Sequence, residues 1–187
     1  MDYEDFNINE HDFFIQTTEI VSIKPTQKMD KMQFICGDFG PFTPPIPIDV
    51  PLWLALYLKD RNRCQVIMPE WFNKNYLEGI KKCEQDEEQL LAIGDTCFEI
   101  GFIFIKKCYD DIENPQSVEL LLKEIEKIRD QKIQDIIRKK INKDTNLLQL
   151  NNITRFEINK YRNTLAPLLQ ELGQLRAQRI EQDNRNQ

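Results

Sequence analysis

Apolar residues recur along this chain in two different rhythms. Before Trp71 they come in short runs rich in β-branched and aromatic side chains, at residues 13–15, 18–23 and 32–36, set among prolines and glycines. Such runs read as strands of a small sheet. Gly37-Asp38-Phe39-Gly40-Pro41 is turn chemistry, because glycine takes positive φ without cost and Pro41 ends a ladder. Pro51 suits the first turn of a helix. Leu52, Trp53, Leu54, Leu56, Tyr57 and Leu58 then leave that helix almost no polar side before Lys59. A helix apolar nearly all round needs cover on most sides. Residues 1–63 offer too little of it, so the helix is expected to wedge between two domains or against a partner. Cys64 to Met68 reads as a short extended segment that Pro69 stops.

From Trp71 onward the period changes to three and four, the spacing of amphipathic helices. Asn73 is placed to cap a helix carrying Tyr76, Leu77, Ile80 and Leu91 on one side, with the acidic run from Glu84 to Glu88 as its solvated end or a loop. Residues 96–112 read as a second, mostly buried helix. Asn114-Pro115 is a cap followed by proline at the first helical position. The helix it opens carries Val118, Leu121, Leu122, Ile125, Ile128, Ile133, Ile136, Ile137 and Ile141. Thr154-Arg155-Phe156-Glu157 has the capping-box pattern, in which hydroxyl and carboxylate satisfy orphan backbone amides. The stripe behind it is Ile158, Tyr161, Leu165, Leu168, Leu169, Leu172 and Leu175. Pro167 sits inside that stripe and predicts a kink. No internal repeat is visible.

These rhythms predict an α+β chain, predominantly α-helical, with a small N-terminal β-rich domain followed by a helical-bundle domain. The expected division is residues 1–61 for the β-rich domain with its short apolar helix, 62–180 for the helices and 181–187 for a polar, frayed tail. Seven of the nine prolines precede Trp71, which sharpens that division.

Composition narrows the function classes. The 187 residues include 41% hydrophobic side chains, 11 Phe and 2 Trp, enough for a core. The formal net charge is −6, with no dominance of basic residues. That balance argues against autonomous DNA binding, since phosphate neutralisation supplies most non-specific affinity. Five cysteines (Cys36, Cys64, Cys83, Cys97 and Cys108) and one histidine, His11, lack zinc-ligand spacing, so no metal is expected. The N-terminal dozen residues lack a signal-peptide pattern, and the most apolar run, 97–105, falls short of the about 20 residues that span a bilayer. Reduced cysteines acting as small apolar side chains are the default.

Catalytic chemistry is equally absent from the pattern. There is no nucleophile elbow, no phosphate-cradling glycine loop and no set of residues able to build a triad around one histidine. No cofactor is expected, and Asp86-Glu87-Glu88 reads as solvent-facing helix-end charge. The basic run Arg138-Lys139-Lys140 with Lys143 complements a helix C-terminus. Its alternative reading is a surface for a nucleic-acid backbone. Trp53 and Trp71 are core or interface anchors.

Taken in order, Gly37-Asp38-Phe39-Gly40-Pro41-Phe42, then Pro51-Leu52-Trp53-Leu54-Ala55-Leu56-Tyr57-Leu58-Lys59, then Cys64 and Pro69-Glu70-Trp71 form a series. It closely resembles the subunit-2 family of the eukaryotic GINS complex. Asn152-Ile153-Thr154 with Glu157-Ile158-Asn159 resembles the segment that opens that family's last helix. Length, order and spacing agree over residues 21–176, while Met68 departs from a proline common in the family. The resemblance implies a non-enzymatic subunit of a four-chain nuclear assembly. It would join Cdc45 and the MCM2–7 ring in the replicative helicase, and so serve chromosomal DNA replication. Its implied partners are the other three GINS subunits, with Cdc45 and MCM2–7. DNA is met only through the assembly and no membrane is involved. A stand-alone helical adaptor, or a nucleic-acid-binding module using the basic end of the long helix, is the alternative.

Overall fold

The computed structural model describes Ile15, residues 17–141 and residues 150–185; side chains at 139–141, 168, 171, 172 and 175–185 are outside that description. The chain divides into two compact units, one formed by residues 1–79 with 98–122 and the other by 80–97 with 123–187.

The first unit holds the strands. Strand β1, Ile20–Pro25, alternates exposed and buried positions, turning Val21, Ile23 and Pro25 inward. That is the period-two pattern of a half-buried strand. It is flanked by β4, Ile48–Pro51, and β5, Cys64–Val66, both antiparallel, with Val21 opposite Val50 and Ile23 opposite Val66. Because β5 lies beyond Arg61, the sheet draws on residues on both sides of the expected domain boundary. A separate hairpin pairs β2, Met32–Phe34, with β3, Gly37–Phe39.

That hairpin corrects two expectations. Gly37–Phe39 is strand, and the turn falls one step earlier, on Ile35 and Cys36. The left-handed torsion sits on Gly37, at φ 136°, rather than on either loop residue, which lets two non-glycine residues form the tip. Ile35 is fully exposed there, so its β-branched shape misled the strand assignment. The expected strand over 13–15 also differs. Residues 13 and 14 lie outside the described residues, while Ile15, Thr17 and Thr18 are helical, with the Glu19 amide donating to the Ile15 carbonyl at 3.0 Å.

Helix α1, Leu52–Lys59, buries Leu52, Leu54, Ala55, Leu56 and Leu58 and packs on β1, β4 and β5. Pro51 is its N-cap residue, not part of its first turn, and still pairs with Ile20 in the sheet. Trp53 meets the hairpin edge-on, 5.1 Å from Phe34 and 6.1 Å from Phe39 between ring centroids. Of the two covers expected for α1, a second domain or a partner chain, the partner is not needed to bury Leu52, Leu54, Ala55, Leu56 and Leu58. Its cover comes from this chain, whose first unit also takes in residues 98–122.

Helix α2, Lys74–Asp86, begins as predicted: the Asn73 Oδ1 accepts from the Tyr76 amide at 2.8 Å. Leu77 is buried and Tyr76 exposed, while Leu91 lies past the helix. Helix α3, Cys97–Lys107, is shorter than expected and gives way to a 3₁₀ turn, Tyr109–Asp111. Helix α4, Pro115–Ile141, has proline first and buries its predicted stripe at Val118, Leu121, Leu122, Ile125, Ile133 and Ile137. Helix α5, Arg155–Arg185, runs through Pro167 and past the point where the polar tail was expected. Among the described residues no helix is long and apolar enough to cross a membrane.

In the second unit an apolar cluster stands out among the described residues. Leu90, Ile133, Ile137 and Leu165 form it, with Leu150, Ile153 and Tyr161 against them.

Candidate assembly site

Arg129 stands where the α4 stripe requires an apolar residue, four positions from both Ile125 and Ile133. Its side chain is 0% exposed. A guanidinium carries five N–H donors, and each finds an acceptor here. Nε donates to Glu157 Oε1 at 2.6 Å; one terminal nitrogen donates to Glu84 Oε1 at 2.5 Å and the Leu91 carbonyl at 2.9 Å. The other donates to Glu157 Oε2 at 2.9 Å and the Asn152 carbonyl at 2.8 Å. Burial alone would lower the guanidinium pKa, but hydrogen bonds and charge from Glu157 and Glu84 outweigh it and raise it.

The two carboxylates are satisfied in turn. Lys132 Nζ donates to Glu84 Oε2 at 2.5 Å and to the Gln89 carbonyl at 3.0 Å, and the Leu91 amide donates to Glu84 Oε1 at 3.1 Å. Glu157 performs the predicted capping box as well. It accepts the Thr154 amide at 2.8 Å, while Thr154 Oγ1 accepts the Glu157 amide at 3.3 Å. Asn152, at φ 59°, sends its side-chain amide to the Leu90 carbonyl at 2.9 Å. A buried charge left unpaired is costly, so completeness is what makes this network tolerable.

Glu84 is the clearest correction. Read as part of a solvated acidic run, it is fully buried, whereas Asp86, Glu87 and Glu88 are exposed. Arg129, Glu84 and Lys132 were all missed by reading the sequence. The available signal was a lone arginine interrupting an otherwise apolar stripe.

Outside this network, α4 and α5 are joined by Lys160, which reaches Glu126 at 2.9 Å and Asp130 at 2.5 Å, and by the Tyr161 hydroxyl, which donates to Asp130 Oδ1 at 3.1 Å. Gln134 adds a further link, its side-chain amide donating to the Tyr161 hydroxyl at 3.3 Å. The α5 stripe is only partly covered. Leu165 is buried, but Ile158 and Leu169 remain 46% and 52% exposed.

In the first unit, Lys59 pairs with Asp111 at 2.7 Å, and Asp111 also accepts the Val66 amide at 2.8 Å. Asp38 pairs with Lys31 at 2.9 Å on the surface. Gly40, at φ 100°, has the Phe42 ring 3.0 Å from where a Cβ would stand, and Phe42 is buried, exchanging backbone bonds with Met29. Pro41 and Asn159 are exposed; Leu56 and Cys64 are buried. The carbonyls of Pro69 and Glu70 accept from the Phe72 amide and the Asn73 side chain. Phe72, not Trp71, is the buried anchor there, 5.4 Å from Phe104. The cations of the basic run at 139, 140 and 143 lie outside the described side chains; Arg138 is exposed.

Two family models match successive stretches of the chain. The PSF2 N-terminal domain matches residues 7–67, and the GINS complex protein helical bundle domain matches residues 71–180. The human DNA replication complex GINS protein PSF2 is 30% identical over 164 residues, covering 87% of this chain and 89% of that protein. The chain belongs to the PSF2 family of GINS proteins. The Xenopus laevis relative is 30% identical with the same coverage, and the Schizosaccharomyces pombe relative is 30% identical over 87% of both chains. Of the residues that first carried the resemblance, Asn152 and Glu157 turn out to accept from Arg129, and Thr154 holds Glu157 through the capping box. The rest of the series, from Gly37 to Trp71, is dispersed through the first unit as strand, helix and core.

Proposed function

We propose that this chain is the PSF2-type subunit of a four-chain GINS assembly acting in chromosomal DNA replication in the nucleus. There it would join Cdc45 and the MCM2–7 ring within the replicative helicase. In this reading it works without a catalytic centre, and DNA is met through the assembly. Family membership supports the reading. The structural observation that carries it is the uncovered part of the α5 stripe. Ile158 and Leu169 are eleven residues apart, three turns at 3.6 residues each, so they share one helix face. Large apolar residues aligned and exposed on one face mark a surface that another chain covers.

Co-expression with the other three GINS subunits tests this. The expected result is one complex of equal stoichiometry by native mass spectrometry, with the chain self-associating when concentrated alone. A well-behaved monomer that ignores the other three subunits would sink the reading. Leu56→Asp, in contrast, tests folding and not an interface, because Leu56 is buried by its own chain.

A further inference from the structure

The apolar contacts between α4 and α5 do not by themselves determine where along its axis α5 sits. Tyr161 and Leu165 pack against the cluster containing Ile133 and Ile137. The α5 stripe repeats apolar residues at Ile158, Tyr161, Leu165 and Leu169, so a slide of one turn, about 5.4 Å, exchanges one apolar contact for another.

The charges behave differently. Among the described residues Glu157 is the one α5 side chain that reaches Arg129, and the Asn152 carbonyl just before the helix takes another of its donors. Slide α5 by a turn and Tyr161 or Ile153 replaces Glu157, which leaves a fully buried guanidinium short of acceptors on two sides. Removing one partner of a buried pair is far more damaging than replacing the whole set with apolar groups. The network therefore discriminates between registers even where it adds little net stability. A single polar residue that selects register in packed helices is the best-attested use of such groups.

We propose that Arg129 is the positioning residue of the assembly surface: with Glu84 and Glu157 it locks α5 in one register and so places Ile158 and Leu169 for the partner chain. This rests on the assembly reading above. It implies that stability and assembly can be separated, which a purely structural role does not allow.

The test replaces the whole set at once, as E84L/R129M/E157Q. A glutamine in place of Glu157 keeps the capping box, and Lys132 keeps the Gln89 carbonyl. The full-length variant is expected to unfold at a higher temperature than Arg129→Met alone, since neither carboxylate is left buried and charged without the guanidinium. Hydrogen-exchange mass spectrometry on the dilute chain is expected to show exchange over residues 155–165 at least about tenfold faster. Recovery of the four-chain complex is expected to fall about fivefold or more at the parent's subunit concentrations. A second variant, Arg129→Lys, keeps the charge but has three donors where five acceptors wait, and is expected to fold with an intermediate loss of complex. Parental exchange rates and parental recovery in either folded variant overturn the proposal. If the parent chain itself captures none of the other subunits, the assembly reading falls, while the exchange measurement still judges the lock.

Discussion

The two units of this chain hold themselves together by different physics. The first buries Phe42, Leu52, Leu54, Leu58, Phe72, Phe98 and Phe104 and orders its strands around them. Its stability comes chiefly from apolar area, which is additive and tolerant of small shifts. Among the described residues the second has an apolar cluster of Leu90, Ile133, Ile137 and Leu165 and sets beside it an arginine, two glutamates and a lysine. Such a network is directional and all-or-none, because every donor and acceptor must be met together. An apolar core decides that a region folds; a complete buried charge network decides which arrangement it folds into. That difference suits a unit whose last helix has to offer a defined surface to another chain.

Breaking each unit at its own weak point sharpens the contrast. Arg129→Met alone leaves Glu84 and Glu157 buried without their partner and should cost about 3–5 kcal/mol in urea unfolding. The loss should concentrate in residues 80–97 and 123–165 by amide exchange. Leu58→Ala removes a fully buried side chain from the first unit and should cost about 3 kcal/mol, within the range set by how far the cavity collapses. Here protection should fall in the strands instead. If both variants loosen the same residues, the two-unit contrast is wrong. Thr154→Ala deletes half of the capping box and should cost about 1 kcal/mol, with Thr154→Ser restoring most of it.

A pH slope also belongs to the first unit. Burial pushes the Cys64 thiol up to about 11 and the Cys108 thiol up to about 12, with Asp111 adding to both and Lys59 opposing. An unfolded thiol ionises near its ordinary value of 9.0. Above that pH the unfolded chain releases protons that the folded chain keeps, so stability falls as pH rises. The thiol contribution is complete below pH 9 and disappears as pH climbs toward 11 and 12. Urea midpoints at about pH 8 and about pH 10 check it, and a Cys64→Ala, Cys108→Ala double variant should flatten the slope. Alkylation at about pH 8 should label exposed Cys36 and Cys83 well before buried Cys64, Cys97 and Cys108.

Much of this molecule was legible one residue at a time. The Asn73 cap, the proline that opens α4, the Thr154–Glu157 box and the alternation in β1 all appear where local rules place them, since each depends on neighbours within four residues. The α4 stripe was equally plain because helical periodicity is a property of one element. The errors fall where local preference competes with position in the fold. Ile35 prefers strands yet forms a turn tip because Gly37 takes the unusual torsion. Helix α1 looked too apolar for its own domain because residues 98–122 could not be assigned to that unit from spacing.

Family membership, the α+β class and the starts of α2, α4 and α5 were therefore determined by sequence alone, through motifs and caps that need no long-range geometry. Only the tertiary structure decided what Arg129 does. Glu84 lies 45 residues before it and Glu157 28 residues after. A carboxylate at either place reads as an ordinary helix charge until packing removes the water around it. Desolvation, a property of the assembled unit and not of any segment, turns three commonplace charges into the element that sets α5 in place.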